Sequence, residues 1–268
     1  MNTYLSDEEY DEWFFDLGGA RDEVVEMLRA RGLGKNSRVL DIAAGHGTFT
    51  LKIAEAVREG EVVAIGLEND VRDYKWYRTQ VPEGRFGNIV YYLEMDATKL
   101  EFEDGYFDFV VNFLGLEDIR MTRGKSGLAR ALQEMARVVR PGGFVQIAIG
   151  VYGEEKDEVL LKKVERFIGH NAVFPSPQFF RSELRENELK IEEELLPVPG
   201  RKLTAEQAEK EIRFACERAP QVFQKYGVRT RDFHDVWKRF GSEIEKVGLA
   251  HYSRILCIVS KKIRDATR

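Results

Sequence analysis

The sequence predicts an α/β protein with a doubly wound, mostly parallel sheet of seven strands. Short apolar runs alternate with helical patterns over residues 38–150. Such continuous apolar runs are typical of strands that are buried on both faces of a parallel sheet. A glycine-rich turn joins the first run to a helix, as at the ligand-binding edge of these sheets. The 268 residues can bury one large core and leave enough chain for an additional lobe.

The elements of this sheet follow in chain order. Ser6 and Glu9 form a capping box for a first helix through Phe15. A second helix is expected over about residues 21–31, ending at Gly32. The predicted strands are 38–42, 62–67, 89–94, 107–112 and 144–149. The helices between them are expected near 48–58, 70–80 and 126–139.

The pattern changes after Gly150, where helices become longer and a proline-rich break appears. The predicted elements are helices near 155–169 and 178–186, a strand over 190–196, a break at Pro197, Pro199 and Gly200, helices over 204–226 and 230–247, and a last strand over 253–260. We therefore expect three parts: an N-terminal helical cap (1–35), a core (36–200 and 250–268) and a helical insertion (201–249). The insertion is expected to cover the strand ends as a substrate lid.

Composition narrows the range of functions. The 41 basic and 46 acidic residues leave a net charge of −5, which excludes a chain-wide basic field for nucleic acid. No apolar run is long enough to span a membrane and the first ten residues do not resemble a signal peptide, so we expect a cytoplasmic protein without membrane contact. Cys216 and Cys257 predict buried thiols, and no metal site is expected. Many charges with few Cys and Met are typical of thermophile proteins.

The most informative segment is the turn after the first strand, which runs from Asp41 to Gly47. A strand that ends in an acid leads into a loop of small residues and then into a helix. Gly45 and Gly47 can adopt backbone conformations that other residues avoid, and their lack of Cβ permits close approach to a ligand. This arrangement lets backbone N–H groups approach a nucleoside cofactor, although a tight turn alone would also explain it.

This segment resembles motif I of the class I S-adenosylmethionine-dependent methyltransferases, with matches at Asp41, Gly45 and Gly47 and with Ala43 where the family usually has its first glycine. Three further segments resemble later motifs of the family in the same order. They are Gly66-Leu67-Glu68, the stretch 95–108 that begins Met95-Asp96-Ala97, and the stretch 137–144 that contains Arg140-Pro141-Gly142-Gly143. The resemblance covers about residues 38–150 and implies S-adenosylmethionine as the cofactor.

The resemblance also implies roles for single residues. Glu68 is expected to accept hydrogen bonds from the ribose hydroxyls, and Asp96 with the Ala97 backbone N–H is expected to contact the adenine. Asp41 is expected to orient the loop or the methionine amino group. Alternatively, Glu68 caps a helix and Asp96 forms an Asx turn. Asp41 could equally serve only to satisfy hydrogen bonds of the backbone. The full set of expected cofactor-binding residues is Asp41, Ala43, Gly45, Gly47, Glu68, Asp96, Ala97 and Asn112. The aromatic residues Tyr4, Tyr10, Trp13 and Phe14 could close over the cofactor or belong to the core, and His46 is expected to be non-catalytic.

Substrate chemistry is expected after the fourth strand. Methyltransferases that act on exocyclic base amines carry a polar residue followed by Pro-Pro and an aromatic residue there, and Asn112 fits the polar position. Asn112 could equally cap the next turn. The candidate catalytic residues are Asn112, Glu117 and Asp118, with either acid as general base. The candidate substrate-binding residues are Phe113, Arg120, Arg123 and Lys125, whose cations suit phosphate contacts.

These features favour an RNA base methyltransferase as the main hypothesis, with cytidine N4 of ribosomal RNA as the candidate and RNA or a ribosomal subunit as the partner. A basic and aromatic stretch over residues 225–240 suits RNA backbone and stacking contacts, or is a solvated amphipathic helix. The alternative function is methylation of a small molecule, such as a metabolite or a quinone. A cofactor-binding scaffold that activates a partner is a third, non-enzymatic hypothesis.

Overall fold

The computed structural model describes residues 17–66, 86, 90–170, 175–194 and 198–263. These residues form one sheet that is flanked by helices. The strands are β1 (Arg38–Ile42), β2 (Glu61–Gly66), β3 (Val90–Glu94), β4 (Phe107–Phe113), β5 (Val139–Val151), β6 (Leu189–Glu194), β7 (Val198–Leu203) and β8 (Leu249–Lys262). The α-helices are α1 (Gly18–Arg29), α2 (Thr48–Val57), α3 (Leu116–Val138), α4 (Lys156–Ile168), α5 (Pro177–Glu186), α6 (Ala205–Arg213), α7 (Ala219–Phe223) and α8 (Phe233–Val247).

The sheet has the order β3-β2-β1-β4-β5-β8-β6, and β7 also pairs with β8. The first five strands of this order are parallel, whereas β6, β7 and β5 all run antiparallel to β8. The chain moves outward in one direction from β1 and in the other from β4, so the switch point lies between these two strands. The predicted doubly wound, mostly parallel sheet is confirmed, and β7 is an additional strand.

Successive side chains of β1 point to opposite faces of the sheet, and each face is covered by its own hydrophobic cluster. Leu40 and Ile42 pack in one cluster with Leu128 of α3 and Phe180 of α5. Val39 points to the opposite face, in a cluster that includes residues of α1 and α2. Burial on both faces explains why the parallel strands are continuous apolar runs, and it holds their carboxyl ends at one edge.

The first large difference from prediction concerns α3, which begins at Leu116 rather than near residue 126. The predicted start of this helix was wrong, because residues 117–126 are mostly helical. Gly124 explains the difference, because its φ of 70° and ψ of −172° interrupt the helix with a kink. Gly124 and Gly127 weaken the helical sequence pattern there, but packing of the flanking turns overrides it.

A second difference lies in the proline-rich break. Residues 198–203 form β7, which pairs with the first half of a β8 that is longer than predicted. Pro199 is tolerated because β7 lies at the edge of the sheet. After β7, residues 204–247 form a helical lobe of α6, a π-helical turn (Phe214–Arg218), α7 and α8. The lobe packs on α4 through apolar residues such as Leu160, Val236 and Ile244.

Several expectations lie outside the described residues. They are the first helix with its Ser6–Glu9 capping box, the aromatic residues Tyr4, Tyr10, Trp13 and Phe14, the helix over 70–80, and Glu68. In the part of the chain that the structure describes, no helix combines the length and the apolar character that crossing a membrane requires.

Candidate active site

The glycine loop lies at the switch point, between β1 and α2. Ala43, Gly45 and Gly47 all have left-handed backbones, with φ of 51°, 54° and 76°. For Ala43 this conformation costs about 1–2 kcal/mol, which a glycine would avoid. The backbone N–H of Ala44 donates to the carbonyl of Ile65 at 2.9 Å, which ties the loop to the end of β2. The loop is therefore a sharp turn that is fixed to the sheet, and Gly45 is its exposed residue.

Asp41 lies behind this loop and is 1% exposed. Burial raises the pKa of Asp41 to about 7, although a hydrogen bond from Thr50 Oγ1 at 2.6 Å and the charge of Arg21 both act to lower it. Arg21 is itself buried, and its guanidinium lies 4.9 Å from the centre of the Phe113 ring. A buried cation beside the glycine loop suits the carboxylate of a methionine moiety. Sequence reasoning missed Arg21, because only the packing of α1 brings it here.

A cleft of about 690 Å³, including its open side, extends from the glycine loop along the carboxyl ends of β2 and β3. Its largely apolar walls with a few polar groups suit a small-molecule ligand. It is lined by Ala43, Gly45, Ile65, Gly66, Tyr92, Met95, Asp96 and Ala97, by Asp118, Ile119, Thr122 and Arg123 of α3, and by Phe223 of the helical lobe. Six residues that the sequence singled out meet in this cleft: Ala43, Gly45, Asp96, Ala97, Asp118 and Arg123.

The fit to S-adenosylmethionine rests on this geometry. The glycine loop presents backbone N–H groups, Asp96 and Ala97 lie at the far end of the cleft, and apolar side chains such as Tyr92 and Ile119 line its walls. An added Cβ at Gly66 would lie 2.1 Å from the Tyr92 hydroxyl, so the ring packs directly on the end of β2. Tyr92, Ile119 and Phe223 were not predicted, because their sequence context is that of ordinary core residues.

Asp96 has partners on both carboxylate oxygens. Oδ1 accepts from the backbone N–H and the hydroxyl of Thr98 at 2.9 and 2.8 Å, and Oδ2 accepts from Arg123 Nη2 at 2.8 Å. Burial acts to raise the pKa of Asp96, but these bonds outweigh it and hold the pKa below its usual value. The Arg123 guanidinium also lies 4.1 Å from the centre of the Tyr226 ring. Arg123 therefore braces the cofactor end of the cleft, in addition to any contact with a substrate.

The side chain of Asn112 is fully buried and forms hydrogen bonds with the backbone. Its Nδ2 donates to the carbonyl of Ile42 at 2.7 Å, and its Oδ1 accepts from the backbone N–H of Gly115 at 3.4 Å. Asn112 therefore clamps the ends of β1 and β4 and caps the following turn. This geometry favours the capping interpretation over direct activation of a substrate amine. Phe113 packs on Phe49, with ring centres 5.4 Å apart.

Glu117 and Asp118 lie in the first turn of α3. Burial raises the pKa of Glu117 to about 7 and that of Asp118 to about 6, while the charge of His170 acts to lower the latter. Tyr152, just after β5, and Tyr252 of β8 lie within electrostatic range of Glu117. We call these four residues the acceptor half of the site. Asp41, the glycine loop, Asp96 and Arg123 form the cofactor half.

The three predicted basic residues of α3 have three different environments. Arg123 is in the cofactor half, whereas Lys125 is exposed and its Nζ lies 5.6 Å from the centre of the Phe179 ring. Arg120 is partly buried, and its Nε and Nη1 have no hydrogen-bond partner among the described residues. These cations do not share one surface that could follow a nucleic-acid backbone.

The basic and aromatic stretch over residues 225–240 is packed rather than displayed. Phe233 and Phe240 are buried in the core of the lobe. The guanidinium groups of Arg231 and Arg239 both lie 4.5 Å from the centre of the Phe167 ring. These contacts favour the interpretation of the stretch as an amphipathic helix, because the lobe itself covers the aromatic rings that would stack on bases.

Metal binding has no obvious location in the described part of the chain, where no group of three or more His, Cys, Asp or Glu is placed to hold an ion. Cys216 and Cys257 are both buried there.

Residues 40–147 match the family described as a methyltransferase domain. The chain is 36% identical over 118 residues to the ubiquinone/menaquinone biosynthesis C-methyltransferase UbiE of Proteus mirabilis, covering 43% of each chain. It is 29% identical over 146 residues to the demethylmenaquinone methyltransferase of Bacillus pumilus, covering 54% of each. The chain therefore spans about half the length of these relatives.

Solved structures show the same fold over most of the chain. The YcgJ protein of Bacillus subtilis superposes with a TM-score of 0.60 at 15% identity, over 92% of this chain and 99% of that one. None of these likenesses supports the expected RNA substrate or the thermophile source. The motifs, the sheet and the cleft agree with the family match. Residues 40–147 therefore form a methyltransferase domain, and this domain indicates S-adenosylmethionine as the cofactor.

Proposed function

We propose that the chain transfers the methyl group of S-adenosylmethionine to a small organic acceptor, which binds in the acceptor half of the site. One observation carries this proposal: the acceptor half is enclosed and acidic, with Glu117, Asp118, Tyr152 and Tyr252 meeting between α3, β5, β8 and the helical lobe. Buried acids beside a largely apolar cleft, which Asp118 lines, suit a small ligand. A phosphate backbone would be repelled by the two acids whenever they ionise.

The binding roles follow from the cofactor half. S-adenosylmethionine supplies an activated methyl group on a sulfonium sulfur. The glycine loop and the buried Arg21 hold the methionine end, Asp96 and Ala97 hold the adenine end, and Glu68, which lies outside the described residues, holds the ribose. These contacts align the methyl group with the acceptor, and alignment is the main contribution that a protein makes to such a displacement.

The relatives support the small-molecule proposal over the RNA hypothesis. Both are named for methylation in quinone biosynthesis, so a quinone-type or other hydroxylated ring is the first acceptor class to test. The RNA hypothesis loses its main supports as well. Asn112 is occupied by the backbone, and Phe233 and Phe240 are buried.

The test is a transfer assay with methyl-labelled S-adenosylmethionine. The full chain is incubated separately with a small-molecule extract, total RNA and intact ribosomal subunits from a strain that lacks the gene. We expect label in the extract, at a rate that changes little between 50 and 300 mM salt, because acceptor binding does not depend on many phosphate contacts. Label in RNA or subunits, with a steep loss as salt rises, would overturn the proposal.

A further inference from the structure

Among the described residues, the carboxylate of Glu117 has a hydrogen-bond partner on only one of its two oxygens. Its Oε1 accepts a hydrogen bond from the backbone N–H of Gly150 at 3.3 Å, at the end of β5. Its Oε2 is enclosed and has no hydrogen-bond partner among the described residues. Buried polar atoms are almost always hydrogen-bonded in native structures. One oxygen of Glu117 is thus fixed in place and the other is available to a bound molecule.

The position of Glu117 connects this free oxygen to the methyl-transfer site. Glu117 follows β4 and Gly115, and an added Cβ at Gly115 would lie 2.7 Å from the carbonyl of Ala43 in the glycine loop. The next residue, Asp118, lines the cofactor cleft. The turn that carries Glu117 therefore borders the loop and the cleft, and its side chain reaches toward the end of β5, where an acceptor would approach.

The two neighbouring tyrosines do not compete with Glu117 as proton acceptors. Burial raises the pKa of Tyr152 and that of Tyr252 well above their usual value, and the charge of Glu117 raises both further. Both tyrosines therefore stay protonated. The Tyr152 hydroxyl is also occupied, since it accepts from the backbone N–H of Tyr252 at 3.1 Å. Two aromatic rings beside one carboxylate suit a planar acceptor.

The helical lobe and its neighbours add charges that are already paired. His170 Nε2 lies 2.9 Å from Glu165, and His251 Nδ1 lies 3.1 Å from Glu211. Glu165 and Glu211 also act on the tyrosines, and His170 acts on Asp118. The charge that acts on Glu117 is the like charge of Asp118, which, after burial, helps to raise the pKa of Glu117 to about 7. A base with a pKa near the working pH is the most effective one.

We propose, building on the small-molecule function above, that Glu117 is the general base of this enzyme and that its Oε2 takes the proton from a ring hydroxyl of the acceptor. The acceptor O–H bond breaks and its electron pair activates the oxygen or the adjacent ring carbon. A bond forms from that atom to the methyl carbon, and the carbon–sulfur bond breaks with its pair remaining on sulfur. For transfer to carbon the ring hydrogen then leaves as a proton and Glu117 returns its proton to the ring oxygen, so that in either case one proton per methyl group is released to water.

The test compares Glu117→Gln with the wild type in the full chain, using methyl-labelled S-adenosylmethionine with catechol, hydroquinone and the small-molecule extract. We expect the variant to lose at least 100-fold in kcat, the lower bound for a missing general base. Its Kd for S-adenosylmethionine should change less than threefold. The wild-type kcat should rise with pH along a limb with a pKa near 7, and this limb should be absent from the variant. Glu154→Gln, at an exposed carboxylate of the same size that pairs with Lys162, is the matched control and should keep the wild-type profile.

Infrared spectroscopy gives a readout that needs no acceptor. The difference between wild type and Glu117→Gln should contain the carbonyl band of a protonated carboxyl group, and that band should disappear as pH rises through about 7. Absence of the band at pH 5, or a variant that keeps kcat within threefold and the same pH limb, would overturn the proposal for Glu117. Failure of the proposed function looks different, because the wild type itself would then label no small molecule.

Discussion

Two carboxylates, one from each half of the site, have opposite environments. Asp96, in the cofactor half, has partners on both oxygens, and its pKa lies below the usual value. Glu117, in the acceptor half, has a hydrogen-bond partner on Oε1 but none among the described residues on Oε2. Burial raises its pKa to about 7. The cofactor half is therefore assembled in advance by the protein's own contacts. The acceptor half keeps a costly unsatisfied group, which is the arrangement expected where a ligand must change its protonation.

Gly115 lies between the two halves and gives the largest expected effect. An added Cβ there would lie 2.7 Å from both Cβ and O of Ala43 and 2.9 Å from Asn112 Nδ2. Gly115→Ala should therefore push the glycine loop away, lower the free energy of unfolding by about 1–3 kcal/mol and weaken S-adenosylmethionine binding at least tenfold. Urea unfolding and calorimetric titration measure both quantities.

Gly19→Ala in α1 is the control for this substitution, because an added Cβ at Gly19 meets no atom within 4 Å. It should raise the free energy of unfolding by about 0.5–1 kcal/mol through helix propensity, without changing cofactor affinity. Equal effects of the two substitutions would show that the contact between the halves is not tight.

The second largest effect is expected at Asp41, which should make the free energy of unfolding depend on pH. Folding raises the pKa of the Asp41 carboxyl to about 7. The resulting stabilisation is fully present below the unfolded pKa of Asp41 and is lost as pH rises through about 7. A shift of about three pKa units corresponds to about 4 kcal/mol. Glu117 and Asp118, whose pKa values burial also raises, contribute to the same fall. Between pH 4 and 8 the free energy of unfolding should therefore fall by about 4 kcal/mol less in Asp41→Asn than in the wild type.

The measurement for Asp41 is urea unfolding at a series of pH values. Asp22→Asn, at an exposed carboxylate that pairs with Lys52, is the control and should follow the wild-type curve. If Asp41→Asn keeps the full slope, then Asp41 is already ionised in the folded protein, and the contrast between buried and partnered acids does not extend to it.

The ion pair between Asp96 and Arg123 gives the smallest effect. A double-mutant cycle with Asp96→Asn and Arg123→Met should yield a coupling free energy of about 1 kcal/mol in stability, because both side chains remain partly exposed to solvent. Each single substitution should also weaken S-adenosylmethionine binding. A coupling near zero would mean that the cofactor half is not held together by this pair.

The motifs that sequence reasoning found are local. A strand that ends in Asp41, followed within six residues by two glycines and a helix, is defined by neighbouring positions, so the turn and its place at the switch point could be predicted. Parallel strands were also predictable, because burial on both faces leaves a continuous apolar run. β7 was missed because Pro199 and Gly200 normally mark a break, whereas pairing along the edge of β8 tolerates them.

The amino-acid sequence by itself determined the sheet, the order of the motifs and the cofactor class, since each depends on periodicity or on residues close together in the chain. Only the tertiary structure decided what the single side chains do. It places Arg21 near Asp41 and pairs Arg123 with Asp96. It also hydrogen-bonds Asn112 to the backbone of Ile42, whereas Glu117 Oε2 has no partner among the described residues. The physical reason is that hydrogen-bond satisfaction and desolvation depend on partners distant in sequence, and no local pattern records them.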